Sequence, residues 1–162
     1  KETLVDIATL THETVSLFNT EPVMAMLSYS NFGERQEGSS AIVHQTVEYL
    51  HANHPEIMID GEMQVNFALD KELRHEKFPF SKIDGKNVNT LIFPNLNSAN
   101  IAYKLMLEIG MCETIGPIQM GLNKPIHILN VESSVNDILN MITIAVVDAQ
   151  VEEQKAILKN KK

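Results

Sequence analysis

One strand-to-helix segment constrains the fold more than any other feature of the sequence. Residues 89–93 are a short apolar run typical of a buried strand, and Pro94 closes it. Residues 97–109 then carry apolar side chains at helical spacing, with Asn97 as the predicted N-cap and Gly110 as the stop. A buried strand that leads directly into an amphipathic helix is typical of proteins that alternate the two elements around a parallel sheet.

The rest of the chain repeats this alternation. We therefore expect an α/β fold, a three-layer α/β/α sandwich with a mostly parallel central sheet. Residues 23–27 and 91–93 are the expected inner strands, and Pro22 is expected to end the first helix. Strands are predicted at residues 23–27, 57–59, 89–93, 114–120 and 125–129, and helices at residues 4–18, 42–50, 97–109 and 135–149.

Charge and composition argue against several classes of partner. The chain has 162 residues and a net charge of -8, whereas nucleic acid and anionic membranes both require a basic surface. We therefore expect neither as a main partner. The longest apolar runs, such as residues 142–147, are too short to span a bilayer. The single cysteine, Cys112, allows no internal disulfide and fits a reducing, cytoplasmic location.

Motifs for dinucleotide and metal binding are weak. Residues 116–121 have the wrong spacing for a dinucleotide-binding glycine loop. His51 and His54 lie at the end of a predicted helix, where the helix dipole explains them more simply than a metal does. Asp60 and Glu62 flank a glycine and could hold a cation, although a turn with solvated carboxylates is the simpler interpretation. We expect no metal site in this chain.

Six short motifs together resemble the phosphate acetyl/butyryl transferase family. They are AMLSYS at 25–30, DGEMQ at 60–64, FPNL at 93–96, NIAYK at 100–104, IGPI at 115–118 and NKP at 123–125, in an order and spacing that match the family over residues 2–150. The resemblance implies a phosphotransacetylase-like fold, similar to isocitrate and isopropylmalate dehydrogenases, with a ligand cleft between two lobes. It implies a single domain fragment, with the second lobe at residues 1 to about 120 and a segment that returns to the first lobe at about 121–162.

Within that family the chain is most similar to the domain at the C-terminus of large malic enzymes. SYSNFG at 28–33, IFPNL at 92–96 and AVVDAQ at 145–150 carry this closer resemblance. In those enzymes an N-terminal region performs the NAD(P)- and metal-dependent oxidative decarboxylation of malate to pyruvate, and the appended domain is associated with regulation by acetyl-CoA and with oligomer assembly. We therefore expect a piece of a longer protein that has acetyl-CoA as an effector and no cofactor of its own. The implied partners are the malic enzyme catalytic region in cis and further copies of the chain itself.

The same resemblance implies that most of the catalytic groups are missing. A phosphotransacetylase carries Ser-Arg-Gly after its Lys-Pro strand, and here Asn130 and Val131 stand at the Ser and Arg positions. Glu108 replaces a further arginine, and only Asp137 matches the residue thought to take the thiol proton of CoA. Because phosphate recognition depends on guanidinium charge, we expect no catalytic residues. Asp137 also has a structural interpretation, since residues 134–137 have the form of a capping box.

Binding of a coenzyme A ester needs fewer groups than acetyl transfer. Serines after the first strand and asparagines at the strand-to-helix turn lie where open α/β sheets bind ligands. Turn or N-cap chemistry is the alternative for the asparagines, and a solvated surface position is the alternative for the lysines. The ligand-binding candidates are Ser28, Ser30, Asn95, Asn97, Asn100, Lys104, Lys124, Asn130 and Asp137.

Three functions follow from these interpretations. The leading one is a regulatory domain of a malic enzyme that senses acetyl-CoA. The second is an active phosphate acetyltransferase of a divergent branch, and Val131 and Glu108 argue against it. The third is a structural module that assembles subunits and binds no small molecule.

Overall fold

The computed structural model describes residues 1–110, 114–122 and 124–159. Cys112, Asn123 and the last three residues lie outside the described residues. The chain separates into two compact units, Lys1–Leu105 and Met106–Lys162. The elements are α1 (Glu2–Leu17), β1 (Met24–Leu27), α2 (Gly38–Asn53), β2 (Ile59–Met63), α3 (Val65–Leu69), α4 (Lys71–Lys77), β3 (Thr90–Ile92), α5 (Leu96–Glu108) and α6 (Val135–Lys159).

The described strands form one parallel sheet in the order β2-β1-β3. Met24 lies opposite both Ile59 of β2 and Thr90 of β3, so the three strands start level with one another. The α/β fold with a parallel sheet is therefore confirmed. The prediction that residues 91–93 form an inner strand is wrong for the described residues, because β3 borders the sheet on one side and only β1 has two neighbours.

Helices cover both faces of this sheet, which gives the predicted three layers. Alternate residues of β1 point to opposite faces, as the pleat requires. Met24 and Met26 pack with side chains of α1 and α2, among them Ala8 and Val43. On the other face, Ala25 and Leu27 belong to a second cluster of buried residues that contains Met63, Ala68 and Ile83.

A β-bulge in β2 places the last residues of that strand on opposite faces of the sheet. Met26 pairs with Gly61 but Leu27 pairs with Met63, so Glu62 is the extra residue. A Cβ at Gly61 would lie 2.6 Å from the carbonyl oxygen of Met26, and its φ of +139° is one that residues with side chains rarely adopt. The bulge directs the Glu62 carboxylate toward α2 and Met63 into the opposite cluster.

Several predicted boundaries are corrected by the structure. The first helix ends at Leu17, well before Pro22, and β2 extends to Met63 through residues predicted to form a turn. Helices α3 and α4 were not predicted, because each is short and their buried residues are Ala68 and the charged Arg74, which form no apolar pattern. Within residues 114–122 and 124–129, both predicted strands are absent and the backbone has no regular structure.

Two helix starts test the capping predictions. At α6 the predicted capping box is confirmed: the amide of Asp137 donates to the Ser134 hydroxyl, and the amide of Ser134 donates to the Asp137 carboxylate. At α5 the predicted N-cap Asn97 is wrong. The side-chain oxygen of Asn95 accepts a hydrogen bond of 3.0 Å from the amide of Ser98, so the helix starts two residues earlier.

Candidate functional site

A cleft of about 600 Å³ lies at the carboxyl edge of the sheet, within the first unit. Each of the three strands contributes the residues that follow it, because parallel strands end at the same edge. The lining side chains are Leu27, Ser28, Tyr29, Ser39, Gln64, Val65, Asn66, Phe93, Pro94, Asn95 and Ser98.

The starts of two long helices also meet this cleft. Ser39 lies in the first turn of α2, while Asn95 and Ser98 lie at the start of α5. The first amides of a helix have no partner within the helix and carry the positive end of its dipole. The cleft therefore offers amide donors and a positive potential to an anionic group without any cationic side chain in its lining.

The described lining is otherwise neutral and combines apolar with polar side chains. Leu27, Val65 and Phe93 offer apolar contact. Hydroxyl and amide side chains such as Ser28 and Asn66 offer hydrogen bonds. This combination suits a ligand with an extended, mostly uncharged body and a few hydrogen-bonding groups.

The loop between β1 and α2, residues 28–37, begins with the lining residues Ser28 and Tyr29, and its middle part is hydrogen-bonded to Glu62. This side chain is fully buried. One carboxylate oxygen accepts from the Ser30 hydroxyl at 3.0 Å and from the Gly33 amide at 2.9 Å. The other lies 3.0 Å from Nδ1 of His44 on α2.

The cleft contains two of the candidates predicted in the first unit. Ser28 and Asn95 line it, as expected for residues that follow β1 and β3. Ser30 does not, because its side chain is buried and donates to Glu62. Asn97, Asn100 and Lys104 are exposed on α5 and do not contribute to the lining, and Lys104 extends over the ring of Tyr103. A ligand role for these last four candidates stays a prediction.

The remaining candidates lie in the second unit. Lys124, Asn130 and Val131 are exposed, and Glu108 is exposed in the last turn of α5. Asp137 accepts two hydrogen bonds of 2.8 Å from Ser134, one from its hydroxyl and one from its amide. These bonds, the hydroxyl first, hold the pKa of Asp137 below its usual value of 3.8.

The residues of the cleft that sequence reasoning missed include Gln64, Asn66, Ser39 and Ser98. The first two follow β2, but the predicted strand stopped at residue 59 and so placed its carboxyl end too early. Ser39 and Ser98 occupy first turns of helices, where serine is expected for local hydrogen bonding alone. A correct end for β2 would have been the signal for Gln64 and Asn66.

Asp60 and Glu62 are not solvated turn residues, so that interpretation of the sequence is wrong. Both are buried in β2 and point to different partners. Asp60 accepts from the Ser81 hydroxyl at 2.8 Å and from the Lys82 amide at 2.6 Å, whereas Glu62 contacts the loop and His44. Among the residues that the structure describes, no group of three or more His, Cys, Asp or Glu side chains could hold a metal ion.

Comparisons with known proteins agree with the fold and the motifs. The sequence profile of the family described as Phosphate acetyl/butaryl transferase matches residues 1–146. The NADP-dependent malic enzyme of Salmonella typhimurium is 41% identical over 151 residues, which cover 92% of this chain and 20% of that protein. The phosphate acetyltransferase of Clostridium acetobutylicum is 42% identical over 148 residues, which cover 91% of this chain and 44% of that protein. The chain thus spans less than half the length of each relative.

Solved structures show the same similarity. A phosphotransacetylase from Streptococcus pyogenes has a TM-score of 0.82 and 38% identity, covering 90% of this chain and 44% of that one. A phosphotransacetylase from Staphylococcus aureus has a TM-score of 0.78 and 31% identity. The predicted phosphotransacetylase-like fold is confirmed. Across the described part of the chain, none of the helices has the length and apolar character needed to cross a membrane.

Proposed function

Because the chain belongs to the phosphate acetyl/butyryl transferase family, we propose that it is a regulatory part of a malic enzyme, binds acetyl-CoA in the cleft and transfers no acetyl group itself. One observation carries this proposal. A cleft with a neutral described lining lies at the sheet edge, while Asn130, Val131 and Glu108 stand where the family resemblance places a Ser and two Arg.

Asp137 is poorly suited to act as the base. A general base must be free to reach the proton that it removes, and its pKa should lie near the working pH. The Asp137 carboxylate is instead engaged by Ser134 at the start of α6, and these hydrogen bonds lower its pKa. The matching side chain therefore serves as a helix cap.

The positions of the family's arginines favour the same conclusion. Acetyl phosphate is an anion, and its recognition and transition state depend on charge-assisted hydrogen bonds. Val131 offers no charge and is fully exposed, and Glu108 adds a negative charge. Neither residue can replace a guanidinium group.

Acetyl-CoA matches the properties of the cleft. Its pantetheine arm is long, uncharged and rich in amides, and it requires apolar contact together with a few donors and acceptors. Leu27, Val65 and Phe93 supply the apolar contact, and Ser28 and Asn66 supply the hydrogen bonds. The amides at the starts of α2 and α5 are the proposed partners of a phosphate group.

We also propose a role in assembly. Leu96, Ile101 and Leu105 of α5 are all more than half exposed, and α5 has no buried residue among its members. Apolar side chains that follow one helix are typical of a surface that another chain or domain covers. The malic enzyme catalytic region and a second copy of this chain are the partners that the family relationship suggests.

An active phosphate acetyltransferase is the second candidate, because the identity to the Clostridium acetobutylicum enzyme, 42%, is as high as the 41% to the Salmonella typhimurium malic enzyme. A direct assay separates the two proposals. CoA-dependent consumption of acetyl phosphate should be undetectable for the full-length protein. The triple variant Asn130→Ser, Val131→Arg, Glu108→Arg should show more activity than its parent, if the rest of the site is intact. Readily measured turnover by the unmodified protein would refute the regulatory proposal and favour the second candidate.

A further inference from the structure

Glu62 is a buried carboxylate for which the proposed function has no chemical use. A fully buried charge is costly unless hydrogen bonds and an opposite charge compensate it. Here the Ser30 hydroxyl, the Gly33 amide and His44 Nδ1 all lie within 3.0 Å of its oxygens. Such a complete set of partners indicates that the side chain holds a specific arrangement.

That arrangement is the conformation of the loop that follows the lining residues Ser28 and Tyr29. The backbone carbonyl of Glu62 also accepts from the amide of Phe32 at 2.7 Å, so the loop contacts both the main chain and the side chain of this residue. Through Ser30 the network continues, because the Ser30 hydroxyl accepts from the amide of Arg35 at 3.1 Å. Directly before these anchors lie Ser28 and Tyr29, which line the cleft.

His44 fixes the loop from the side of α2. A Cβ added to Gly33 would lie 3.3 Å from a carbon of the His44 ring, and Gly33 has a φ of +84°. The loop thus passes close over the imidazole, with a backbone conformation that favours glycine. Nε2 of His44 lies 3.7 Å from a carboxylate oxygen of Glu48, so the ring is placed between two acidic side chains.

Further bonds connect the loop to the residues after β2, on the neighbouring side of the cleft. The amide of Gln64 donates to the Asn31 side chain at 2.9 Å, and the Gln64 side chain donates to the carbonyl of Tyr29 at 3.1 Å. A displacement of Glu62 is therefore expected to affect the lining residues after β1 and those after β2 together, since Gln64 also lines the cleft.

We propose that Glu62 is the positioning residue of the cleft: its carboxylate, supported by His44, holds residues 28–35 in the shape that the ligand requires. This proposal rests on the proposed function for the identity of the ligand, acetyl-CoA. It assigns a role to a side chain that is not part of the described cleft lining and that contacts the loop through Ser30 and Gly33.

Three variants distinguish the effect of the position of the Glu62 side-chain oxygens from the effect of their charge. Glu62→Gln keeps a side-chain oxygen at the same reach, so it can still accept from Ser30 and Gly33. Glu62→Asp keeps the charge but withdraws the carboxylate by one methylene, and Glu62→Ala removes it. The matched control is Val47→Ala, which weakens the buried cluster around α2 and lies away from the cleft lining.

The first measurement is hydrogen exchange of the amides of Gly33 and Arg35 without ligand. We expect exchange to rise by about tenfold or more in Glu62→Asp and Glu62→Ala, because in neither variant does a side-chain oxygen reach Ser30 and Gly33, and to stay near wild type in Glu62→Gln and Val47→Ala. Equal protection of these amides in Glu62→Ala and Val47→Ala would overturn the proposal, and so would protection in Glu62→Asp at the wild-type level.

The second measurement is calorimetric titration of the full-length protein with acetyl-CoA. The affinity should fall by about tenfold or more in Glu62→Ala and be largely retained in Glu62→Gln. Retained affinity in Glu62→Ala would refute the positioning role. If the wild type itself binds no acetyl-CoA, the proposed function fails, and the exchange experiment still decides whether Glu62 positions the loop. Should Glu62→Ala not fold, Ser30→Ala removes the same contact from the loop side, and the same loss of acetyl-CoA affinity is expected.

Discussion

At the scale of single residues, the other fully buried ionisable side chain of the first unit, Arg74, bonds to backbone through its two terminal nitrogens, while its Nε has no hydrogen-bond partner among the described residues. Its guanidinium group donates to the carbonyls of Phe67, Ala68, Ile83 and Lys86. Burial lowers the pKa of Arg74, and the charge of Asp84 is the largest effect that opposes this. The arginine thereby connects the α3–α4 region to residues 83–86, although no sequence pattern marks it as buried.

Beside this cluster, His75 and Asp84 form an exposed pair that makes stability depend on pH. The hydrogen bond to Asp84, followed by its charge, raises the pKa of His75 above 6.5. Because the pKa of His75 is higher in the folded than in the unfolded state, the pair stabilises the fold fully at pH values below the unfolded-state pKa. This contribution is lost as the pH rises through the folded-state pKa. Replacing His75 by Gln should therefore reduce the free energy of unfolding at about pH 5.5 and have little effect at about pH 8.5.

Urea unfolding of wild type and His75→Gln at the two pH values measures this difference. His12→Gln is the control, since the His12 side chain has no hydrogen bond or ion pair with any residue that the structure describes, and its replacement should matter equally little at both values. A loss that is the same at both pH values would contradict the assignment of the pair.

At the scale of elements, the sequence predicts structure best where apolar periodicity is long. The strand β1 and the helices α2, α5 and α6 were expected near their observed positions, because burial on a continuous face imposes the pattern. The short α3 and α4 have too few residues for such a pattern. In β2 the bulge interrupts the alternation, and polar residues such as Asp60 enter the strand.

The same physical reasons decide how much of the cleft was predicted. Ser28 and Asn95 were found because they follow apolar strands with clear ends. Gln64 and Asn66 were missed because the residues before them in β2 include two acids and a glycine, which are not typical of the interior of a strand. Only partners from distant parts of the chain, such as Ser81 for Asp60, make those acids compatible with burial.

The start of α5 gives a prediction at this scale. Asn95 caps the helix through its side chain, whereas Asn97 is an exposed residue of the first turn. We expect Asn95→Ala to lower the free energy of unfolding by about 1 kcal/mol and Asn97→Ala to change it by less than about 0.5 kcal/mol. Chemical denaturation measures both, and the Asn97 variant serves as the control. An equal or larger loss in Asn97→Ala would restore the original sequence prediction.

At the scale of the whole molecule, binding and chemistry are assigned to different parts of the chain. The described residues that line the cleft all belong to the first unit. The positions where the family resemblance implies missing catalytic groups, Glu108, Asn130 and Val131, belong to the second unit. A chain of this kind can lose acetyl transfer and keep a ligand site, which is the central claim of the proposed regulatory function.

Calorimetric titration of the full-length protein with acetyl-CoA tests that claim most directly. Val65→Trp places a large side chain in the cleft, and Leu69→Trp makes the same change on the same short helix outside the cleft lining. Both positions are at least half exposed, so the fold should accept both. We predict saturable binding by the wild type and by Leu69→Trp, and an affinity at least about tenfold lower for Val65→Trp. No binding by the wild type, or equal binding by all three proteins, would contradict an acetyl-CoA site in this cleft.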